Sequence, residues 1–479
     1  MNYQQFVEQN KDEMIIALQR AVRINSERGE SFLSKEGQTY PFGQGIQDAL
    51  EYFLELGKNM GFEVKNVDNQ AGHIDFRGTG DGLVGILGHI DVVPAGGDWK
   101  TDPFGGEIID EKIYGRGTTD DKGPVIACLY AMKALKDAGY VPNATIRLIL
   151  GLDEETGNWT GLEHYFSKER RPDYGFTPDG EFPLINGEKG TLVFDVVKKF
   201  SKNNVKGLEL RSLKGGMAPN SVADNARAVV NSPDSSIYDI LKEKITAYRS
   251  LTGYKINYKG IGKSLEITVS GVSAHGAKPE AGLNAISIMM ELLAQFNFAN
   301  EDTNDFIAFY NKYIGFCLDG EKLGIAMEDQ KSGHLVFNVG MAEVSKDAAK
   351  LVLNLRYPVT YTAEDVFAPM MEILTKYNMG LVKKAIKEPV YFEQESRMVQ
   401  DLWDIYKEHT GDIESQPMVM GGGTYAKATP GIIAYGALFP GDEDLMHQKD
   451  ECLEISRFLQ TAKIYADAIY KLSSENYEN

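Results

Sequence analysis

Residues 82–91 read "GLVGILGHID". A short apolar run punctuated by glycine and closed by a histidine and a carboxylate is the pattern of a strand buried on both faces whose end meets polar surroundings. The neighbouring stretches extend it. "GIQDALEYFLELGKNMGF" (45–62) places apolar residues at helical spacing and stops at Gly61. "GPVIACLYAMKALKDAGY" (123–140) is a second amphipathic helix, and "ATIRLILGLDEETG" (144–157) a second buried strand that runs into acids. Strand and helix alternating in this way predict an α/β domain, a mixed sheet flanked by helices. Ligands of such sheets bind at the carboxyl ends of the strands. His89, Asp91, Asp153, Glu154 and Glu155 all fall at such ends.

The pattern changes after about residue 187. "GEKGTLVFDVVKKF" (187–200) and "SLEITVSGVSAHG" (264–276) read as strands of a more two-sided sheet, "GLNAISIMMELLAQFNF" (282–298) as a helix, and "AAKLVLNLRYPVTYTAEDV" (348–366) as strand then helix. This predicts an inserted α+β domain at 188–387, within a discontinuous α/β domain formed by 1–187 and 388–479. The chain of 479 residues is long enough for two domains, since single cores stop growing near about 250–300 residues.

A net charge of −19 argues against nucleic acid and against anionic membranes. No run approaches the roughly 20 apolar residues of a membrane span. The amphipathic N-terminus has no signal-peptide pattern, so the sequence reads as cytoplasmic. Three scattered cysteines, Cys128, Cys317 and Cys452, with no CxxC, make a disulfide framework or a thiolate zinc site the wrong expectation.

Singly, the polar motifs have ordinary readings. His-x-Asp is a turn, "YGRGTTDDKG" a loop capping a helix, "DEETG" a solvated loop, and "TPDGEF" a turn; His447 in "LMHQKDE" is a surface imidazole. Together they supply an inventory. Two divalent cations about 3.5–4 Å apart need a bridging carboxylate and further acid and imidazole ligands. His89, Asp120, Glu155, Asp179 and His447 provide two imidazoles and three acids. Asp91 would bond the second nitrogen of His89 and fix its tautomer. Glu154 is left over beside a ligand, able to take a proton from a metal-held water and pass it to a leaving amine.

These motifs resemble the M20 metallopeptidase family, and within it the PepV-type dipeptidases. The matching pieces are "GHIDVVP" (88–94), "YGRGTTDDKGP" (114–124), "DEETG" (153–157), "TPDGEFP" (177–183), "SAHGAKPE" (273–280), "LNLRYP" (353–358) and "LMHQKDE" (445–451). They span nearly the whole chain. The resemblance implies that Asp120, three residues after the RG glycine, bridges two metals, while His89, Glu155, Asp179 and His447 divide between them. It makes Glu154 the general base and acid, Asp91 the orienter of His89, and His275 an oxyanion stabiliser from the inserted domain. Asn220 and Arg356 become substrate-holding residues, Arg356 gripping a C-terminal carboxylate. Gly422, in "GGGT" (421–424), would offer it a backbone donor; a flexible turn is the other reading of that stretch.

The expected cofactors are two divalent metal ions, zinc ahead of manganese. The expected substrate is a dipeptide with free amino and carboxyl ends, its free amine meeting Asp179. A lid long enough to supply His275 in cis implies a monomer. Competing readings are a deacylase or desuccinylase of N-acyl amino acids, a catalytically silent peptide-binding protein and, more weakly, a dinuclear phosphoesterase. His73, His164, His334 and His409 are assigned to surface or packing roles.

Overall fold

The apolar runs of the first third become neighbouring strands. The computed structural model describes residues 2–35, 37–201, 206–475 and 477. By internal contacts these form two compact units: Met1–Gly187 with Val390–Val419 and Gly423–Asn479, and Glu188–Pro389 with Met420–Gly422. The tripeptide Met420–Gly422, which the sequence placed in the catalytic segment, thus packs with the second unit.

The first unit is built on a nine-stranded mixed sheet. Its centre is four parallel strands: β1 (Leu83–His89), β2 (Thr145–Gly151), β3 (Tyr174–Thr177) and β4 (Ile432–Ala434). They lie in the order β4-β3-β1-β2, with His89 of β1 beside Gly151 of β2. Antiparallel strands flank them, Ala71–Phe76 beyond β2 and Ile185–Glu188 beyond β4. Every residue of β1, β2 and β3 is buried, which is why these segments are apolar without alternation.

The two faces of the sheet feed different cores. Val84, Ile86, Leu148 and Leu150 join the helical residues of Gln44–Asn59, Lys122–Asp137 and Ile455–Ser474. Leu87, Ile149 and Ile432 pack with Trp159, Leu162, Tyr165 and Tyr425. β1 and β3 approach closely at Gly175 (φ +156°), where a Cβ would stand 1.8 Å from the Gly85 carbonyl oxygen. The helix α1 (Lys122–Asp137) begins directly after Asp120 and Asp121 and carries Pro124 in its first turn, where the missing N–H costs nothing.

The second unit is an eight-stranded antiparallel sheet. Two of its ten-residue strands, Val336–Ser345 and Ala348–Tyr357, form a hairpin, and a third, Gly190–Lys199, pairs with the second of them. Helices Ile237–Thr252, Ala285–Leu293, Glu301–Tyr313 and Ala363–Lys376 contribute Ile245, Met289, Phe306 and Met370 to its core. The fold is therefore mixed α/β with a second α+β unit inserted. Among the described residues no helix is long and apolar enough to cross a membrane.

Candidate metal centre

Three parallel strands end on the same edge, and each delivers an acid or imidazole there. His89 is the last residue of β1, Glu154 and Glu155 follow β2, and Asp179 follows β3. Asp120 arrives from the loop before α1. His447 comes from the loop between β4 and the Cys452–Glu454 strand, with φ at 62°.

The side chains converge. Asp120 touches both imidazoles, with Oδ1 2.9 Å from His89 Nε2 and Oδ2 2.9 Å from His447 Nε2. His447 Nε2 also lies 3.0 Å from Glu155 Oε2. Asp179 Oδ2 is 3.9 Å from His89 Nε2. Two ligand-competent groups result, His89–Asp120–Glu155 and His89–Glu154–Asp179, each with its donor atoms within 4.8 Å of one another. Glu154, which the sequence reading put beside a ligand as a proton carrier, thus falls among the side chains that could hold an ion.

The charge balance is lopsided. Burial opposes a charged His89, yet Asp120 and Asp91 outweigh it and raise its pKa well above the ordinary imidazole value. His447 is pushed up to about 11 by hydrogen bonds to Asp120 and Glu155. Its imidazole is 54% exposed, so burial, which would lower the value, opposes those two contacts only weakly. Burial and then the charge of Asp179 raise Glu154 well above the carboxylate range; burial and then Asp120 raise Glu155. Carboxylates crowded this closely call for positive charge. Two cations would supply it, restoring ionised acids and neutral, ligating imidazoles. The donor set of imidazole nitrogen and carboxylate oxygen fits zinc or manganese.

A supporting layer fixes the ligands. His89 Nδ1 lies 3.0 Å from the Asp91 carbonyl oxygen and 3.4 Å from Asp91 Oδ1. The Asp91 carboxylate itself accepts the backbone N–H groups of Glu154 (3.2 Å) and Glu155 (3.1 Å). It therefore aims the acid loop as well as orienting the imidazole, a larger role than the spacing of "HID" suggested. Asp121 Oδ2 accepts the backbone N–H of His89 at 3.1 Å, and the Trp159 indole donates to the Glu154 carbonyl at 3.2 Å.

Sequence reasoning gave no role to Glu451, the last residue of "LMHQKDE". Fully buried, it accepts from Arg116 Nη1 (2.7 Å), from the backbone of Gly117 (3.0 Å) and Thr119 (2.8 Å), and from Thr119 Oγ1 (2.9 Å). One carboxylate thereby cradles the whole "RGTTD" loop that presents Asp120. Lys122 is equally hidden, its Nζ donating to the carbonyls of Ala21 (3.0 Å) and Ile24 (2.8 Å). The only sequence signal for either was its place inside a charged motif.

The remaining candidates, Asn220, His275, Arg356 and Gly422, all belong to the second unit and cluster there. The Gly276 N–H donates to the Asn220 carbonyl at 2.7 Å, and Ser221 and His275 form an antiparallel bridge. Asn338 Nδ2 holds the same loop through the Pro219 (3.1 Å) and Ser221 (3.0 Å) carbonyls. A Cβ on Gly421, the neighbour of Gly422, would lie 3.4 Å from Ala277 Cβ and 3.9 Å from Arg356 Cγ. Asn220 and His275 are exposed, whereas Arg356 is buried. Arg356 Nη1 donates to the Leu355 carbonyl at 3.2 Å and its Nε has no partner. Burial lowers the guanidinium to about 10. Among the described residues no acid forms an ion pair with this buried cation, a chemistry that suits an anionic partner.

Comparison with known proteins places the chain. The model of peptidase family M20/M25/M40 matches residues 85–471. The chain is 35% identical over 478 residues to a protein of Bacillus subtilis (strain 168), covering 99% of this chain and 100% of that one. It is 34% identical over 481 residues to the Beta-Ala-Xaa dipeptidase of Lactobacillus delbrueckii subsp. lactis, covering 99% of each. The crystal structure of aminoacylhistidine dipeptidase from Vibrio alginolyticus shares the fold, with a TM-score of 0.57 at 15% identity over 97% of both chains.

Proposed function

The chain belongs to peptidase family M20/M25/M40, and on that premise we propose that it is a metal-dependent dipeptidase, hydrolysing the amide bond of dipeptides with a free amine and a free carboxylate. The observation that carries this is the Asp120 carboxylate touching His89 with one oxygen and His447 with the other, each at 2.9 Å. That is the disposition a ligand bridging two cations requires. In this reading His89, Asp120, Glu155, Asp179 and His447 hold the ions, zinc or manganese. Bound there, they would supply Lewis acidity, which lowers the pKa of water toward about 7.

The protein's own groups do the rest. Glu154 takes a proton from the attacking water and returns it to the departing amine, and the low dielectric around it suits a group that must be both base and acid. Asp91 keeps Glu154 and Glu155 aimed by holding their backbone N–H groups. Asp179 meets the substrate amine. In the second unit, Arg356 and the backbone at Gly422 receive the substrate carboxylate, Asn220 steadies the peptide, and His275 opposes the negative charge that grows on the carbonyl oxygen. Loss of one such donor raises a barrier by about 2.7–4 kcal/mol, so His275→Ala lowers turnover by about 10²–10³ with metal content unchanged. The same reading has the chain acting as a monomer, which sedimentation checks.

The deciding assay uses metal-stripped protein titrated with zinc or manganese, on free, N-acetylated and C-amidated dipeptides. Hydrolysis of the free dipeptide alone is the expected outcome. Equal cleavage of the N-acetylated substrate would replace the proposal with a deacylase, and retention of intact dipeptide in the presence of metal would replace it with a binding protein.

A further inference from the structure

The two imidazoles of the candidate centre are held very differently. His89 ends the central strand β1, and its side chain is only 1% exposed. Asp91 backs its Nδ1, and Asp121 Oδ2 accepts its backbone N–H at 3.1 Å. His447 stands on an irregular loop, its side chain 54% exposed. Among the described residues its hydrogen-bonding contacts all run through Nε2, to Asp120 and Glu155. A ligating imidazole is ordinarily oriented through its second nitrogen, as His89 is.

The His447 loop is tied at its ends. Arg457 Nη2 donates to Asp442 Oδ1 at 2.9 Å at one end. At the other, Asp450 Oδ1 accepts the backbone N–H of Lys100 at 2.7 Å, next to the buried Glu451. From Glu443 to Lys449 the described hydrogen bonds stay within the loop, apart from the contacts of His447. The Met446 N–H donates to Asp444 Oδ1 and the Gln448 N–H to the Leu445 carbonyl, each at 3.0 Å. His447 and Asp450 both have φ of 62°, a left-handed backbone that a residue with a Cβ keeps only where its surroundings hold it. Of the two ties, Asp450 is the nearer to His447 in the chain.

The distances divide the five candidate ligands into two sets that share Asp120. His89 lies 2.9 Å from Asp120 and 3.9 Å from Asp179; His447 lies 2.9 Å from Asp120 and 3.0 Å from Glu155. We propose that the ion of the second set is the exchangeable one, and that Asp450 is a positioning residue that retains it by holding the His447 loop in place. The ion at His89 stays bound as metal supply changes, whereas the ion at His447 loads and leaves with it. This rests on the metal-dependent reading above. Loss of the partner that orients a ligating imidazole weakens metal binding by about 10–100-fold, and among the described residues His447 has none.

Zinc-loaded protein mixed with excess pyridylazoresorcinol, a chromogenic chelator, reads metal release by absorbance. Two phases of one ion each are expected, with rates at least about tenfold apart. His447→Ala is expected to lack the fast phase and to release its one ion at the slow rate. Asp450→Ala is expected to quicken the fast phase by about tenfold and leave the slow phase unchanged. Asp450→Asn, whose amide oxygen can still accept the Lys100 N–H, is expected to match wild type. The wild-type trace decides the matter even if the alanine variants fold poorly. One phase releasing both ions, or equal quickening of both phases in Asp450→Ala, overturns the proposal. Dipeptide hydrolysis by the same samples separates it from the reading beneath it. Two-phase release without hydrolysis of any dipeptide upholds the exchangeable site and removes the dipeptidase; single-phase release of both ions with hydrolysis does the reverse. Fewer than two ions bound to wild type overturns both the proposal and the two-ion centre.

Discussion

Removing the Glu451 carboxylate should loosen the first unit and the candidate metal centre together. In Glu451→Ala the Arg116 guanidinium, with its side chain only 2% exposed, loses its sole ion-pair partner among the described residues, and its Nε already lacks an acceptor. Leaving one member of a buried pair uncompensated costs about 3–5 kcal/mol. Against a typical total of about 5–15 kcal/mol, that is a large fraction. Glu451→Gln keeps the volume but does not rescue. Oε2 serves Arg116 and Gly117 while Oε1 serves Thr119 twice, so whichever oxygen becomes an amide nitrogen points a donor at donors. Each orphaned donor costs about 1–3 kcal/mol. The cradled loop presents Asp120, so metal affinity should fall by about 10–100-fold, as it does when supporting residues are lost. Urea unfolding of the metal-free protein reads the first quantity and zinc competition against a chelator reads the second. If both variants unfold within about 0.5 kcal/mol of wild type and keep their zinc affinity, the cradle is not what holds this loop.

Three further outcomes are expected. His447→Ala, which takes the imidazole away from Asp120 and Glu155, should lower bound metal from two ions per chain to one, counted by elemental analysis. Asp91→Ala should lower kcat and metal affinity by about 10–100-fold, because Glu154 and Glu155 both lose a backbone anchor; Asp91→Asn, which retains one acceptor oxygen, should lose less in the same assays. His73, buried with its Nδ1 2.8 Å from the Tyr165 hydroxyl, is lowered to about 4 by burial. A histidine with a depressed folded pKa stabilises above about pH 6.5 and loses that contribution as pH falls to about 4. The loss is about 3 kcal/mol, and urea midpoints should show this slope in wild type and not in His73→Phe.

How much of this was legible before folding depends on the range of each interaction. The uninterrupted apolar runs 83–89 and 145–151 announced buried parallel strands, because burial on both faces leaves no room for alternation. The acids after them were legible as edge residues for the same reason. In the second unit the strands over 190–199 and 348–357 were equally plain, whereas the helix Glu301–Tyr313 was not, its apolar face being diluted by polar residues. Met420–Gly422 groups by its contacts with the second unit although Met420 ends a strand, Met418–Met420, of the first unit's sheet, and nothing in a glycine-rich stretch records such divided packing.

By itself, then, the sequence determined the strand edges and the inventory of donors, since periodicity and residue chemistry are local properties. It did not determine which oxygen meets which nitrogen. Glu451 lies 335 residues from Arg116 in the chain, and Asp91 more than 60 from the amides it holds. Hydrogen-bond direction, burial and the sum of nearby charges exist only once distant segments share a few ångströms. For that reason only the tertiary structure made Asp120 the carboxylate between two imidazoles, Asp91 the anchor of the acid loop, and Glu451 the support beneath them.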